Sequence, residues 1–204
     1  AVWPRKALDH RLIEAAAEAG AIVRFEREAL PTMVGSRVVG AESADETVTA
    51  DLTILAAGAP GAAAQRLGAV RDPNEPFGLA IRAYAESPRH TDRHLEACLT
   101  ITDEHGIAVP GYGWMFPAGD GTVNIGVGAL STMKGFKRLN LNTMIESYRH
   151  LVQEPWSLGP YLSKPRAWRL PMSAQRRHGA GWVAVGDAAG LVNPMNGEGI
   201  DYAL

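Results

Sequence analysis

The sequence predicts a mixed α/β (α+β) fold, with strand–turn–helix segments at both ends of the chain flanking an antiparallel sheet. Three observations carry this. Apolar runs at 50–56 and 182–185, rich in strand-forming residues, each lead into a Gly-containing turn. Four strand-like runs between Phe77 and Leu130 succeed one another over short polar connections without a helical period, as an antiparallel sheet requires. Helical apolar spacing occupies 5–20 and 139–152.

In chain order, Leu8, Leu12, Ile13, Ala16 and Ala19 recur at helical spacing, and Gly20 stands at the C′ position that closes such a helix. Ala21–Arg27 and Arg37–Glu42 read as strands, with Pro31 and Gly35 marking their connection. Ala50–Gly61 is a strand entering a Gly-rich turn, followed by a short helix over 62–67. The turn residues from Asp72 to Pro76 mark a boundary, giving one discontinuous domain (1–72 and 174–204) and a second at 73–173. Within the second, strands are expected at Phe77–Ala85, His94–Ile101, Val109–Phe116 and Thr122–Leu130. A helix follows at Leu139–Val152, capped by Asn140 or Asn142, with Leu141, Ile145, Tyr148, Leu151 and Val152 as its apolar face. Trp168–Pro171 returns to the sheet.

Composition excludes several classes of function. A net charge of −2 leaves no nucleic-acid footprint, although Arg166, Arg169, Arg176 and Arg177 cluster in sequence. Cys98 is the single cysteine, so no internal disulfide forms; this fits a reducing compartment, the cytoplasm. No apolar run approaches membrane-spanning length, which leaves a peripheral contact at the inner face of the membrane open. The six histidines lack metal-ligand spacing, no nucleophile–base arrangement stands out, and Cys98 reads as a packed small hydrophobe.

Two stretches carry chemistry. In WVAVGDAAGLVNPMNGEGIDYAL, from Trp182, a buried strand stops at Gly186–Asp187, setting one carboxylate at the strand's carboxyl end among small residues. After the Asn193–Pro194 turn, Gly197-Glu198-Gly199 opens a pattern (Ile200, Ala203, Leu204) spaced like a helix. A Gly-rich helix start offers unpaired N–H groups to an anion or an electron-rich carbonyl. In GYGWMFPAGDGTVNIGVG, from Gly111, the aromatics Tyr112, Trp114 and Phe116 alternate along one strand face, and Pro117 ends it. Gly126 and Gly128 leave room on the neighbouring strand for something close to the backbone. An ordinary sheet core with a hairpin at Asp120–Gly121 is the alternative.

These two stretches, in this order, resemble the geranylgeranyl-reductase family of FAD-dependent oxidoreductases, within the hydroxylase-like flavoprotein superfamily. Reductases of prenyl-quinone tails such as menaquinone's look most similar. The resemblance implies that Asp187, after Gly186, hydrogen-bonds a ribityl hydroxyl of FAD, and that the backbone around Gly197, Glu198 and Gly199 faces the pyrimidine edge of the flavin. An Arg-x-x-Leu-Asp segment, here Arg5 to Asp9, implies Arg5 near the phosphate and ribityl portion; an exposed first-turn arginine is the plainer reading. Tyr112, Trp114, Phe116, Pro117, Gly126 and Gly128 would line a cavity for an isoprenoid chain. The implied reaction is reduction of carbon–carbon double bonds in a prenyl lipid. No acid stands out as proton donor, and the catalytic residues stay unassigned. The superfamily's strand-end Asp-Gly is here Ala57-Gly58, a departure that leaves open whether electrons come from NAD(P)H or a protein donor. Rival readings are a flavin monooxygenase or halogenase of the same fold, or a non-catalytic flavin-fold module.

No G-x-G-x-x-G follows a strand, so the chain reads as a fragment with a partial FAD-binding domain. Residues 1–204 alone are therefore expected not to retain stoichiometric FAD. A yellow, flavin-replete preparation of this chain contradicts that expectation.

Overall fold

The computed structural model describes residues 2–59, 61–103 and 105–203. Its elements are α1 (Arg5–Glu18), β1 (Leu30–Val34), β2 (Arg37–Glu42), β3 (Thr47–Thr49), β4 (Thr53–Leu55), α2 (Ala62–Leu67), β5 (Phe77–Glu86), β6 (Glu96–Cys98), β7 (Gly111–Pro117), β8 (Thr122–Leu130), α3 (Leu141–Trp156), β9 (Arg166–Pro171), β10 (His178–Gly179) and β11 (Trp182–Ala184). The mixed α/β class with antiparallel sheets is as expected. Two compact units divide the chain: Ala1–Arg24 with Leu79–Trp168, and Phe25–Gly78 with Arg169–Leu204. The first 24 residues thus group with the sheet unit rather than with the flanking segments.

The first unit is built on a five-stranded sheet ordered β6-β7-β8-β5-β9. β7 and β8 form its most regular pair, antiparallel from Gly111↔Ala129 to Pro117↔Val123. Period-two alternation sends Met115, Val123, Ile125 and Val127 to one face, where they are fully buried. Met144, Ile145, Tyr148, Val152 and Trp156 of α3 join them in one apolar cluster. Asn140 is the cap: its side chain accepts from the N–H of Asn142 (3.0 Å) and of Thr143 (3.3 Å). Leu151, expected on the buried face, is 58% exposed, because the buried row advances in steps of four from Met144 to Trp156 and leaves Leu151 to one side.

Tyr148 stacks against β7 at Gly113, where an added Cβ would stand 2.6 Å from the ring. Burial, then the charges of Cys98 and Glu96, push its phenol well above the ordinary tyrosine range. Burial, then Glu146, pushes Tyr161 up to about 12. Both phenols are held neutral in the fold. The stability they contribute is complete below the free tyrosine value of about 10 and is lost as pH rises through the folded values. In an alkaline absorbance titration, Tyr148 and Tyr161 are therefore expected to ionise late, together with unfolding. Ionisation of Tyr148 and Tyr161 near pH 10 with the fold intact contradicts this.

The second unit holds two three-stranded sheets, β1-β2-β3 and β10-β11-β4, the latter with β11 and β4 parallel. Val38, Leu55, Ala64, Leu67, Trp182 and Ala184 form its core.

Several expected elements are corrected. Ala21–Arg27 is not a strand: Ile22 and Phe25 are 78% and 63% exposed and Glu26 has φ 56°, which breaks an extended run. The strand pairing with β2 is β1 instead, and it contains Pro31. β1 is the edge of its sheet, where a missing N–H is tolerated. The His94–Ile101 strand contracts to β6. α1 forms as expected but buries no residue; Leu12 and Ile13 on its apolar face are 43% and 37% exposed. The helix expected after Gly199 is a single turn with one bond, Ala203 N–H to Ile200 O at 2.9 Å, too short to repay helix nucleation. Leu204, assigned to that helix face, lies outside the described residues. Among the described residues no helix is long and apolar enough to cross a membrane.

Candidate functional site

Two candidate sites stand out, one in each unit. In the second unit, β11 pairs in parallel with β4 and ends at Ala184; after Val185, Gly186 with φ 57° turns the chain into a short 3₁₀ turn, Gly186–Ala189. This turn puts Asp187 at the strand's carboxyl end with its side chain half-buried. The chain then loops back. Asn193 accepts the Met195 N–H (2.8 Å), Asn196 accepts the Glu198 N–H (2.9 Å), and the Asn193 N–H returns to Glu198 O (2.8 Å). These bonds curl Pro194–Gly197 into a tight turn and bring Gly199 against the strand end. A Cβ on Gly199 would stand 3.4 Å from Asp187 Oδ1 and 3.2 Å from Val192. The structure therefore unites Gly186, Asp187, Gly197 and Gly199 in one cradle. Glu198 contributes backbone to it, and its side chain is exposed. The N–H groups of Gly199 and Ile200 donate to no acceptor among the described residues. Arg5 belongs to the other unit, where it is exposed and held by Asp9 at 3.0 Å.

Beside the cradle in the same unit is a cleft of about 680 Å³, into which Arg176 and Arg177 project with Asp72 and Glu75. The arginines clustered in sequence do not make a uniform basic patch: Arg177 donates to Ala189 O (2.9 Å) and Arg176 lies over Trp182.

In the first unit, the sheet face opposite α3 carries the aromatic row. Tyr112 and Trp114 have ring centroids 5.6 Å apart, and Trp114 and Phe116 6.1 Å. All three are half-buried, and at about 3.4 Å per residue the row extends about 14 Å along β7. Pro117 closes the strand with its side chain on the buried face, away from this row. The space above Gly126 is filled from within the protein: a Cβ there would stand 2.1 Å from the Trp114 ring. Gly128 is roomier, its nearest neighbours at ordinary contact distance. Asn124, which the sequence reading missed, accepts the Trp114 indole N–H at 2.8 Å and fixes the ring's orientation. Its parity with Gly126 and Gly128 on β8 was the available signal.

Gly126→Ala is thus expected to displace the indole and break the Asn124 bond. A changed tryptophan emission with secondary structure intact checks this; an unchanged spectrum refutes it. Among the described residues no cluster of His, Cys, Asp or Glu could hold a metal ion.

No protein-family model matches the chain. It is 39% identical to the menaquinone reductase of Mycolicibacterium smegmatis, over 98% of this chain and 50% of that protein. It is 30% identical to digeranylgeranylglycerophospholipid reductase 1 of Methanopyrus kandleri, over 100% of this chain and 54% of the relative. Among solved structures, the geranylgeranyl bacteriochlorophyll reductase-like protein of Thermoplasma acidophilum superposes with a TM-score of 0.72, at 22% identity, covering 98% of this chain and 50% of that one. The flavin-dependent brominase Bmp2 gives 0.74 at 16% identity, covering 98% and 52%. The fold is therefore one that this reductase-like protein and the flavin-dependent brominase share. Over nearly its whole length the chain is similar to a group of reductases, of menaquinone and of digeranylgeranylglycerophospholipid. Within it, identity to the menaquinone reductases of Mycolicibacterium smegmatis and Mycobacterium tuberculosis, 39% and 38%, exceeds that to the archaeal lipid reductase. The chain spans about half the length of the curated relatives it matches.

Proposed function

We propose that this chain is part of an FAD-dependent oxidoreductase that reduces carbon–carbon double bonds in the tail of a prenyl lipid, with menaquinone the substrate favoured by the relatives' names. The observation that carries the reading is the open aromatic row of Tyr112, Trp114 and Phe116, a surface suited to a ligand that offers area and no polar handle. The brominase likeness is one of fold, at 16% identity, and does not favour the halogenase reading.

The cradle's donor set fits a flavin. Asp187 offers an acceptor for a sugar-alcohol hydroxyl, the Gly199 and Ile200 N–H groups suit an electron-rich carbonyl edge, and Gly199 leaves the space a Cβ would fill. Bound there, reduced FAD would supply a hydride for one alkene carbon, with a proton from water completing the reduction at the other. Asp187 would hold the ribityl chain, and the Gly197–Gly199 backbone would hold the ring's pyrimidine edge. The aromatic row would orient the prenyl chain and exclude water, the part of the work that falls to the protein.

Full-length protein carrying this chain is expected to bind a short prenyl hydrocarbon, and Phe116→Asp, which sets a carboxylate on the row, to abolish that binding. Failure of the unaltered protein to bind any prenyl chain sinks the reading.

A further inference from the structure

The aromatic face extends beyond β7. Ile81, Ala83 and Ala85 of β5 are buried with α3, so Arg82 and Tyr84 project to the opposite face. Two contacts fix the register of β5 against β8. The Ser87 N–H donates to Gly121 O at 3.2 Å, and Ala80 Cβ is 3.7 Å from where a Gly128 Cβ would stand. Arg82 therefore lies level with Gly126, over which the Trp114 indole is spread. A row Trp114–Gly126–Arg82 crosses the sheet.

The Arg82 guanidinium lies over the rings of Tyr84 (5.2 Å to the centroid) and Trp168 (5.8 Å). Two other arginines of this unit, Arg89 and Arg149, also stack on aromatic rings, at 4.1 and 4.4 Å. Both of those donate as well, Arg89 to Asp92 and Pro155 O, and Arg149 to Gly159 O. Arg82 has no acceptor among the described residues. Ring faces satisfy the guanidinium's charge but not the N–H groups at its edge. A half-buried planar donor among flat rings is built to receive an oxygen atom that the protein does not supply.

We propose that Arg82 is the headgroup anchor of this site, donating to a carbonyl oxygen of a quinone ring laid against the aromatic face while the prenyl tail crosses toward Trp114. The proposal rests on the reading of that face as the substrate wall. A neutral carbonyl is favoured over a diphosphate because Arg82 is half-buried between rings. A dianion there would have to be desolvated beside a cation already taken from water, a cost that an ion pair repays poorly. Arg166, exposed two residues before Trp168 on β9, makes the phosphate arm of the test necessary.

The experiment uses the full-length protein with reduced flavin and three substrates of equal tail length: a menaquinone, a prenyl hydrocarbon without a headgroup and a prenyl diphosphate. In Arg82→Gln the ratio of kcat/KM for menaquinone over the hydrocarbon is expected to fall about 10- to 100-fold, through KM, as for a lost hydrogen bond to a charged donor. Arg82→Lys, which keeps the charge without the planar fork, should fall between, and it reads the same ratio if Arg82→Gln folds poorly. A ratio unchanged in both variants overturns the proposal, as does a loss confined to the diphosphate. Trp114→Ala separates the two levels. If it slows the hydrocarbon while Arg82→Gln keeps the ratio, the anchor alone is wrong. If it leaves the hydrocarbon at its original rate, the wall is wrong and the anchor falls with it.

Discussion

Trp114→Ala in the full-length protein is expected to lower prenyl-lipid reduction about 100-fold, the scale on which misplacing a bound substrate by about an ångström acts. Its melting temperature should stay close to that of the unaltered protein. The asymmetry follows from where the side chain lies. Trp114 is absent from the buried cluster under α3 and covers Gly126 on the open face. Truncating a core tryptophan costs about 3–5 kcal/mol, but a half-buried ring on an open face forfeits only part of that. The indole N–H bond to Asn124 goes as well, and its partner stays within reach of solvent on that half-buried face. Thermal unfolding and single-turnover reduction on the same variant decide the matter. A collapse in melting temperature with a matching loss of activity would make the row structural.

Asp187→Ala is expected to weaken FAD binding by the full-length protein by about 1.5–3 kcal/mol, the range for a hydrogen bond to a charged group. The carboxylate stands beyond the end of β11 beside Gly199, so the change removes the acceptor that the cradle offers. Titration calorimetry of the apo-protein measures it. Unchanged affinity would reduce Asp187 to a residue that ends a strand.

The parts of the fold that were legible in the sequence are those where one local rule dominates. β8 runs from Thr122 to Leu130 as expected, because strict alternation and the Asp120–Gly121 turn agree. α3 starts at its asparagine cap, and α2 occupies the expected 62–67. The misreadings fell where tertiary pairing overrides composition. Ala21–Arg27 has the apolar content of a strand but finds no ladder, whereas β1 is a strand despite Pro31 because an edge position does not use that N–H.

The cradle was legible as a motif, Gly-Asp followed by Gly-x-Gly, but not its closure. The two asparagine turns at Asn193 and Asn196 that fold Gly199 back toward Asp187 are long-range consequences of local side-chain bonds. In the aromatic stretch, the glycines were read as space for a ligand. Gly126 instead seats the Trp114 ring, so that the surface offered outward is the indole itself. Arg82 and Trp168 were hidden for a different reason: they reach the row only through the strand order β8-β5-β9, which no spacing in the sequence records.

The most direct measurement is mass spectrometry of the lipid after one anaerobic turnover of the full-length protein with chemically reduced flavin and a menaquinone. The account predicts a product heavier by two hydrogen atoms, with the added hydrogens in the prenyl tail and the ring unaltered after reoxidation. A lipid of unchanged mass, or one that gains oxygen or halogen only when air and halide are admitted, would contradict it.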